Sequence, residues 1–264
     1  MKAIWLNDLH LEFLEELAFE QFLRQLEDIH ADAVLIAGDI AQAPTVEAFL
    51  RQLQDRLGGP VYFVLGNHDF YRGSISEVRS DIRSLAAGGS GLHWLSECDA
   101  IPLTDRVSLV GHDGWGDGRL GDYENSRVQL NDFALIADLS GLGRQERLQR
   151  LIRLGDEAAE HLGAVLPGAL ARSEHVVVVT HVPPFQEAAW YGGQYSAPDW
   201  LPFFSCKAVG DLLAGTMRQH PDKTMTVLCG HTHGGGQSQI LPNLLALTGP
   251  ARYGHPAIQK IFEW

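Results

Sequence analysis

Long apolar runs are missing from this 264-residue chain. A membrane-crossing helix needs roughly 18 or more such residues in a row, and none is found, so no membrane partner is expected. The opening stretch Met1-Lys2-Ala3-Ile4-Trp5-Leu6-Asn7-Asp8 is broken by Asp8 and His10. That is too early for the apolar core of a signal peptide, about seven residues at least, and a cytoplasmic location is the expectation. Cysteine is scarce. Cys98, Cys206 and Cys229 are scattered, odd in number and never in a CxxC pair, which excludes a disulfide framework and a thiolate zinc site. Positive charge is also short: 20 Lys and Arg stand against 33 Asp and Glu, a formal net charge of −13. With no Lys/Arg cluster to override it, such a surface repels nucleic-acid backbones and suits a compact substrate better than a long polyanion. Internal repeats, low-complexity tracts and linkers are absent too, so one domain over residues 1–264 is expected.

What is present is an ordinary globular balance, 45% apolar and 20% charged, arranged as apolar runs alternating with amphipathic stretches. Strands are predicted over Ala3–Leu6, Ala33–Ala37, Val61–Leu65, Val107–Gly111, Val176–Thr180 and Met225–Leu228. The four consecutive valines from Val176 read as a strand buried on both faces. Helical periodicity puts Phe13, Leu17, Phe22, Leu23 and Leu26 on one face. Further helices are predicted over Val46–Leu57, Ile75–Ala87, Arg144–Leu162 and Lys207–His220. Gly114–Asn131 and Phe185–Pro202 read as irregular loops. Gln237–Leu241, Leu244–Thr248 and Ile258–Phe262 read as a closing antiparallel series.

The chemistry gathers where strands end. Asp8-Leu9-His10, Gly38-Asp39, Gly66-Asn67-His68-Asp69, Thr180-His181 and Gly230-His231-Thr232-His233 each follow a hydrophobic strand. Side chains at the carboxyl ends of neighbouring strands converge on one crevice. Each residue has a plain alternative: Asp8 as a helix cap, Asp39 and Asn67 as turn residues, His181 as a hydrogen-bonded core histidine. Their joint placement after five strands argues instead for metal. Asp, Asn and His donors without thiolate suit manganese, iron, zinc or cobalt. More donors gather than one ion needs, and two ions about 3.5–4 Å apart sharing a carboxylate fit the count. A water shared by two dications loses a proton near neutral pH and becomes a nucleophile.

This ordered set, spanning Asp8 to His233, resembles the calcineurin-like metallophosphoesterase superfamily. The resemblance implies an α/β fold: a four-layer αββα sandwich of two mixed sheets flanked by helices, with the metal site at the strand C-terminal ends. It implies that Asp8, His10, Asp39 and His233 hold one of two divalent ions (manganese, iron or zinc). Asp39 would bridge to the other, held also by Asn67, His181 and His231. His68 would be the catalytic histidine assisting the leaving group, with Asp69 orienting it or its loop. The implied activity is hydrolysis of a small phosphodiester or phosphomonoester, a nucleotide among them, by a metal-bridging hydroxide. A protein Ser/Thr phosphatase and a catalytically silent binding scaffold are the alternatives. Protein phosphatases carry Asp-Arg-Gly three positions after the bridging aspartate, and purple acid phosphatases an iron-binding tyrosine. Here Gln42 stands at that place and cannot supply a negative charge to a histidine. Gly234-Gly235-Gly236 would let a phosphate approach the backbone. In the irregular segments, Trp115, Tyr123, Trp190, Tyr191, Tyr195 and Trp200 are suited to stack a base or to pack the loops down. Arg119 and Arg127 could fork onto a phosphate. His112-Asp113 reads as structural support.

Overall fold

In the computed structural model, which describes residues 1–89 and 91–264, the chain builds two facing sheets with helices outside. The elements run β1 (Lys2–Leu6), α1 (Glu16–Glu27), β2 (Ala33–Ala37), α2 (Val46–Leu57), β3 (Val61–Val64), α3 (Ile75–Ala87), β4 (Leu92–Trp94), β5 (Ile101–Pro102) and β6 (Val107–His112). They continue with α4 (Asp132–Leu135), α5 (Arg144–Arg172), β7 (His175–Thr180), β8 (Trp190–Tyr191), β9 (Gln194–Tyr195), α6 (Leu201–Phe204), α7 (Lys207–Gln219), β10 (Thr224–Cys229), β11 (Gly236–Leu241), β12 (Leu244–Thr248) and β13 (Lys260–Glu263). One sheet has the order β13-β1-β2-β3-β4 and the other β11-β12-β10-β7-β6-β5. The inner pairings are parallel, and β13, β11 and β5 close the edges antiparallel.

Strand periodicity of two explains the layers. In β1, Ala3 and Trp5 point into the seam between the sheets, whereas Ile4 and Leu6 meet the helices. In β7, Val177 and Val179 fill the seam and Val176 and Val178 face α5 and α7. Both faces are thus dry, and each fully buried valine contributes about 1.5–3 kcal/mol. The helices present matching stripes: Ile75, Val78, Ile82 and Leu85 in α3, and Val209, Leu213 and Met217 in α7. Ser74 caps α3 by accepting a hydrogen bond from the Glu77 N–H at 3.2 Å. The αββα sandwich is therefore the architecture observed. No described helix is long and apolar enough to cross a membrane.

Several local expectations need correction. Phe13 and Leu17 are 53% and 77% exposed. Phe13 lies in a 3-10 turn ahead of α1, and Phe19 replaces these two in the buried stripe with Phe22, Leu23 and Leu26. The 144–162 helix runs on to Arg172 through Pro167. Within 185–202 a small hairpin forms, β8 against β9. The last strands do not make one antiparallel series: β12 lies parallel to β10, which leaves its other edge to β11, and β13 crosses to the first sheet beside β1.

Candidate metal centre

Five of the sequence-singled residues have left-handed backbone: Asp8 (φ 45°), His10 (44°), Asp39 (50°), His231 (70°) and His233 (56°). Only two other non-glycine residues among those described do so, His30 and Arg72. Such a conformation costs of order 1–2 kcal/mol per residue and persists where the surroundings over-determine it. Here the strand holds one side of each residue and the neighbouring loop the other: Asp8 N–H donates to Gly38 O at 3.0 Å and His10 N–H to Asp39 O at 2.9 Å. The strain turns each side chain into the cleft. Gly66 is required for a different reason, since a Cβ there would sit 2.1 Å from Asp39 Oδ1.

The donors fall into two groups that share Asp39. In the first, His10 Nε2 and His233 Nε2 are 3.1 Å apart, His10 Nε2 is 3.7 Å from Asp39 Oδ2, and His233 Nε2 is 3.6 Å from Asp8 Oδ1. One donor atom from each of Asp8, His10, Asp39 and His233 lies within 4.8 Å of all the others. In the second, Asn67 Oδ1 lies 2.9 Å from His231 Nδ1 and 3.1 Å from His181 Nε2. His231 Nδ1 is 3.2 Å from His181 Nε2, which is 3.4 Å from Asp39 Oδ1. All seven residues from the sequence reading thus meet in one basin, with opposite oxygens of Asp39 facing the two groups.

The outward nitrogens are fixed by backbone: His181 Nδ1 bonds Ala37 O at 2.9 Å and His231 Nε2 bonds Phe203 O at 3.1 Å. A backbone carbonyl accepts only, so it takes the N–H on that side of the ring and aims the other nitrogen into the basin, where it is a bare lone pair once the ring is neutral. Burial pushes the His10 and His231 imidazoles down to about 3, so both are neutral donors at ordinary pH. Burial would also raise Asp39, but His181 and His68 outweigh it and hold this carboxyl well below its usual range. Burial opposes charge on His181 as well, yet Asp39 and Asp8 raise it to about 10. Burial pushes Asp8 up. A basin that draws a proton onto a fully buried imidazole calls for positive charge at that point. Facing imidazole nitrogens 3.1 Å apart between two carboxylates fit a cation.

His68 lines the cleft, stacked on Tyr71 with ring centroids 4.2 Å apart. Its N–H donates to Asp39 Oδ1 at 2.9 Å. Asp69 is fully buried and turned away from the cleft. Its oxygens accept the N–H groups of Ile40, Ala41 and Gly66 at 2.8–2.9 Å, so it clamps the β2 and β3 loops together. Asp113 has a similar task at the seam, accepting from Leu65 N–H, Trp94 Nε1 and Ser96 Oγ at 2.8 Å each.

Other expectations fare differently. Trp115 and Tyr123 are buried against Phe70 and Phe203 and pack their loop down. Arg119 pairs with Asp117 and Asp156, and Arg127 is exposed outside the cleft lining. Gly234 and Gly236 make room for Trp190, whose backbone oxygen and ring would lie 2.1 and 2.3 Å from a Cβ there. Tyr191 does reach the cleft, a space of about 250 Å³ also lined by Gln129, Asn131, Asp132, Phe204 and Tyr253.

Four residues near the basin escaped the sequence reading. Tyr253 packs beside His10, His233 and Phe13 with centroids 4.5–5.1 Å apart. Glu12 has a carboxylate oxygen within 4.8 Å of ring nitrogens of His10 and His68, a negative charge near His68 that Gln42 cannot give. Asp132 and Tyr71 lie behind Asn67: Asp132 Oδ1 accepts from Asn67 Nδ2 at 2.8 Å and from Tyr71 OH at 2.7 Å. The Asp-x-His spacing hints at Glu12, but Asp132 lies far beyond the end of β6 and Tyr253 in a turn after β12, so neither adjoins a strand terminus.

A two-sheet sandwich whose strand ends carry paired nitrogen and oxygen donor sets is an arrangement suited to holding two metal ions. More particularly, the chain belongs to the calcineurin-like phosphoesterase family, whose profile matches residues 1–235. It is 33% identical over 145 residues to the UDP-2,3-diacylglucosamine hydrolases of Yersinia pseudotuberculosis serotype O:1b (strain IP 31758) and Yersinia pestis bv. Antiqua (strain Angola). The match takes in 50% of this chain and 56% of those proteins, so the chain spans little more than half the length of these relatives. Its fold is similar to that of the phosphopantetheinyl hydrolase PptH from Mycobacterium tuberculosis (TM-score 0.67, 15% identity, 96% of this chain and 90% of the other). It is also similar to a dimetal phosphatase from Danio rerio (TM-score 0.57, 16% identity, 95% and 87%).

Proposed function

We propose that Asp8, His10, Asp39 and His233 hold one divalent ion and Asp39, Asn67, His181 and His231 a second, and that the substrate is a small phosphodiester. The observation that carries the ligand assignment is Asp39, whose Oδ2 faces His10 while Oδ1 faces His181. Manganese, iron and zinc all suit these donors. When bound, two such dications supply a hydroxide nucleophile and counter the charge of the phosphoryl group.

The chain's own residues set the charge balance. Asp8 and Asp39 cancel two of the four metal charges and the nucleophile a third. No Lys or Arg is among the described residues that line the cleft, so the two ions with their direct ligands would keep one positive unit at most, with Glu12 beside His10 and His68 opposing any further negative charge. That unit matches the single negative charge of a diester and falls one short of a monoester dianion. Asp132, at the back of the cleft, opposes a dianion further. His68 lines the space into which a leaving group would depart, and its imidazole can pass a proton to the leaving oxygen. Tyr253, Tyr191 and Phe204 wall the cleft with rings suited to the organic part of the ester.

The test is turnover with manganese present on bis-p-nitrophenyl phosphate, p-nitrophenyl phosphate, UDP-2,3-diacylglucosamine and a phosphopeptide. A kcat/KM at least tenfold higher for the diester than for the monoester is expected. A preference for the monoester or the phosphopeptide would overturn the charge argument.

A further inference from the structure

The second group of donors depends on an amide, and an amide can face two ways. Asn67 must turn Oδ1 toward His181 and His231 to be a ligand there; reversed, it would offer two N–H donors to a cation. Nothing in its own backbone decides this. Behind it stands Asp132, only 3% exposed, at the start of α4 where the 114–131 segment ends. Its Oδ1 accepts two hydrogen bonds, from Asn67 Nδ2 at 2.8 Å and Tyr71 OH at 2.7 Å. An oxygen engaged that way admits only the NH₂ side of Asn67.

We infer that Asp132 is a positioning residue that fixes the amide of Asn67 with its oxygen toward the second ion, and through Tyr71 braces the ring against which His68 stacks. The inference rests on the proposed role of Asn67 as a ligand. It also accounts for asparagine at position 67: a carboxylate there would face the carboxylate of Asp132, and the pair would need a shared proton in place of the amide N–H. Tyr71 connects the parts, since its OH bonds Asp132 while its ring lies 4.2 Å from His68 at an interplanar angle of 29°. One buried carboxylate, from a segment outside both sheets, therefore orients a ligand and the wall behind the leaving-group histidine. Partners of metal ligands in this position change metal affinity by about 10–100-fold when removed.

The pair invites a reciprocal exchange. Asp132→Asn lets the amide of Asn67 turn either way. Adding Asn67→Asp restores one donor facing one acceptor, with the new amide at position 132 now donating to a carboxylate ligand. Titration of metal-stripped protein with Mn²⁺ in a calorimeter reads both sites without any substrate. Wild type should bind two ions. Asp132→Asn should bind the weaker ion at least tenfold less tightly, with the other unchanged, and Asn67→Asp alone should do no better. The double variant should recover most of the lost affinity. Tyr71→Phe should keep both ions and lower kcat rather than raise KM, because it frees the ring behind His68. If Asp132→Asn binds both ions as wild type does, or if the exchange gives no recovery, the positioning role is wrong. If Asn67→Ala keeps both ions at full affinity, the ligand assignment itself falls.

Discussion

At the scale of single residues, the site is a set of side chains in costly backbone conformations and half-satisfied bonds. His10 Nδ1, His68 Nδ1 and both Glu12 carboxylate oxygens are buried without a hydrogen-bond partner among the described residues. Buried polar groups of that kind are usually paired; others are scattered through the molecule, but these four belong to three residues that each bring a polar atom within 4.8 Å of the other two beside the cleft. Two residues of the site divide the labour in a way that substitution can separate. Asp39 faces both donor groups, so Asp39→Ala should lose metal and activity together. His68 contributes a ring to the cleft and only its backbone N–H to Asp39, so His68→Ala should keep both ions and lose about 10²–10⁴-fold in kcat, the span of general acid catalysis. Metal content by elemental analysis beside steady-state rates checks both. A His68→Ala enzyme with full rate would remove histidine from the leaving-group step.

At the scale of elements, the sequence was most readable where a strand and its polar terminus adjoin. Period-two burial marks each strand, and the next residues carry the chemistry, so Asp8, Asp39, Asn67, His181 and His231 could be named from local pattern alone. Asp132 could not, because it meets Asn67 only through a 65-residue excursion of the chain. Phe13 and Leu17 misled the helical pattern because Phe13 precedes the helix, in a 3-10 turn against Tyr253, and Leu17 falls on the solvent side of α1. His112, at the end of β6, shows an element-scale linkage. Burial against α5, where the His161 ring lies 5.4 Å away, pushes its imidazole down to about 4, against about 6.5 in an unfolded chain. Between these values the unfolded state binds a proton that the folded state refuses. Stability from this group is therefore complete above about pH 6.5 and is lost as pH falls through 4, of order 3 kcal/mol in all. His112→Gln should flatten the slope of unfolding free energy between pH 6.5 and 4, measured by urea titration with a chelator present. Parallel slopes for variant and wild type would show that His112 accepts the proton without cost.

At the scale of the whole molecule, the layered sandwich explains why the donors had to come from distant parts of the chain. The first sheet delivers Asp8, His10, Asp39 and Asn67, and the second delivers His181, His231 and His233. Each proposed ion draws on both sheets, so bound metal would tie together two layers otherwise joined by apolar packing at the seam. It would also remove four units from a formal charge of −13, easing self-repulsion. An ion that binds only the folded state at about 100 times its Kd stabilises by about 2.7 kcal/mol, so two sites give about 5 kcal/mol. For chains of 150–250 residues that is worth about 2–4 °C per kcal/mol, and this chain is only slightly longer, so Mn²⁺ should raise Tm by roughly 10–20 °C over chelated protein. His181→Ala removes a donor of the second ion and a strut between the sheets, so it should forfeit about half of that rise while the first ion supplies the rest. Calorimetry of both proteins with and without Mn²⁺ checks this. Wild-type protein that melts at the same temperature in excess Mn²⁺ and in chelator would mean that the two sheets do not grip a common pair of ions.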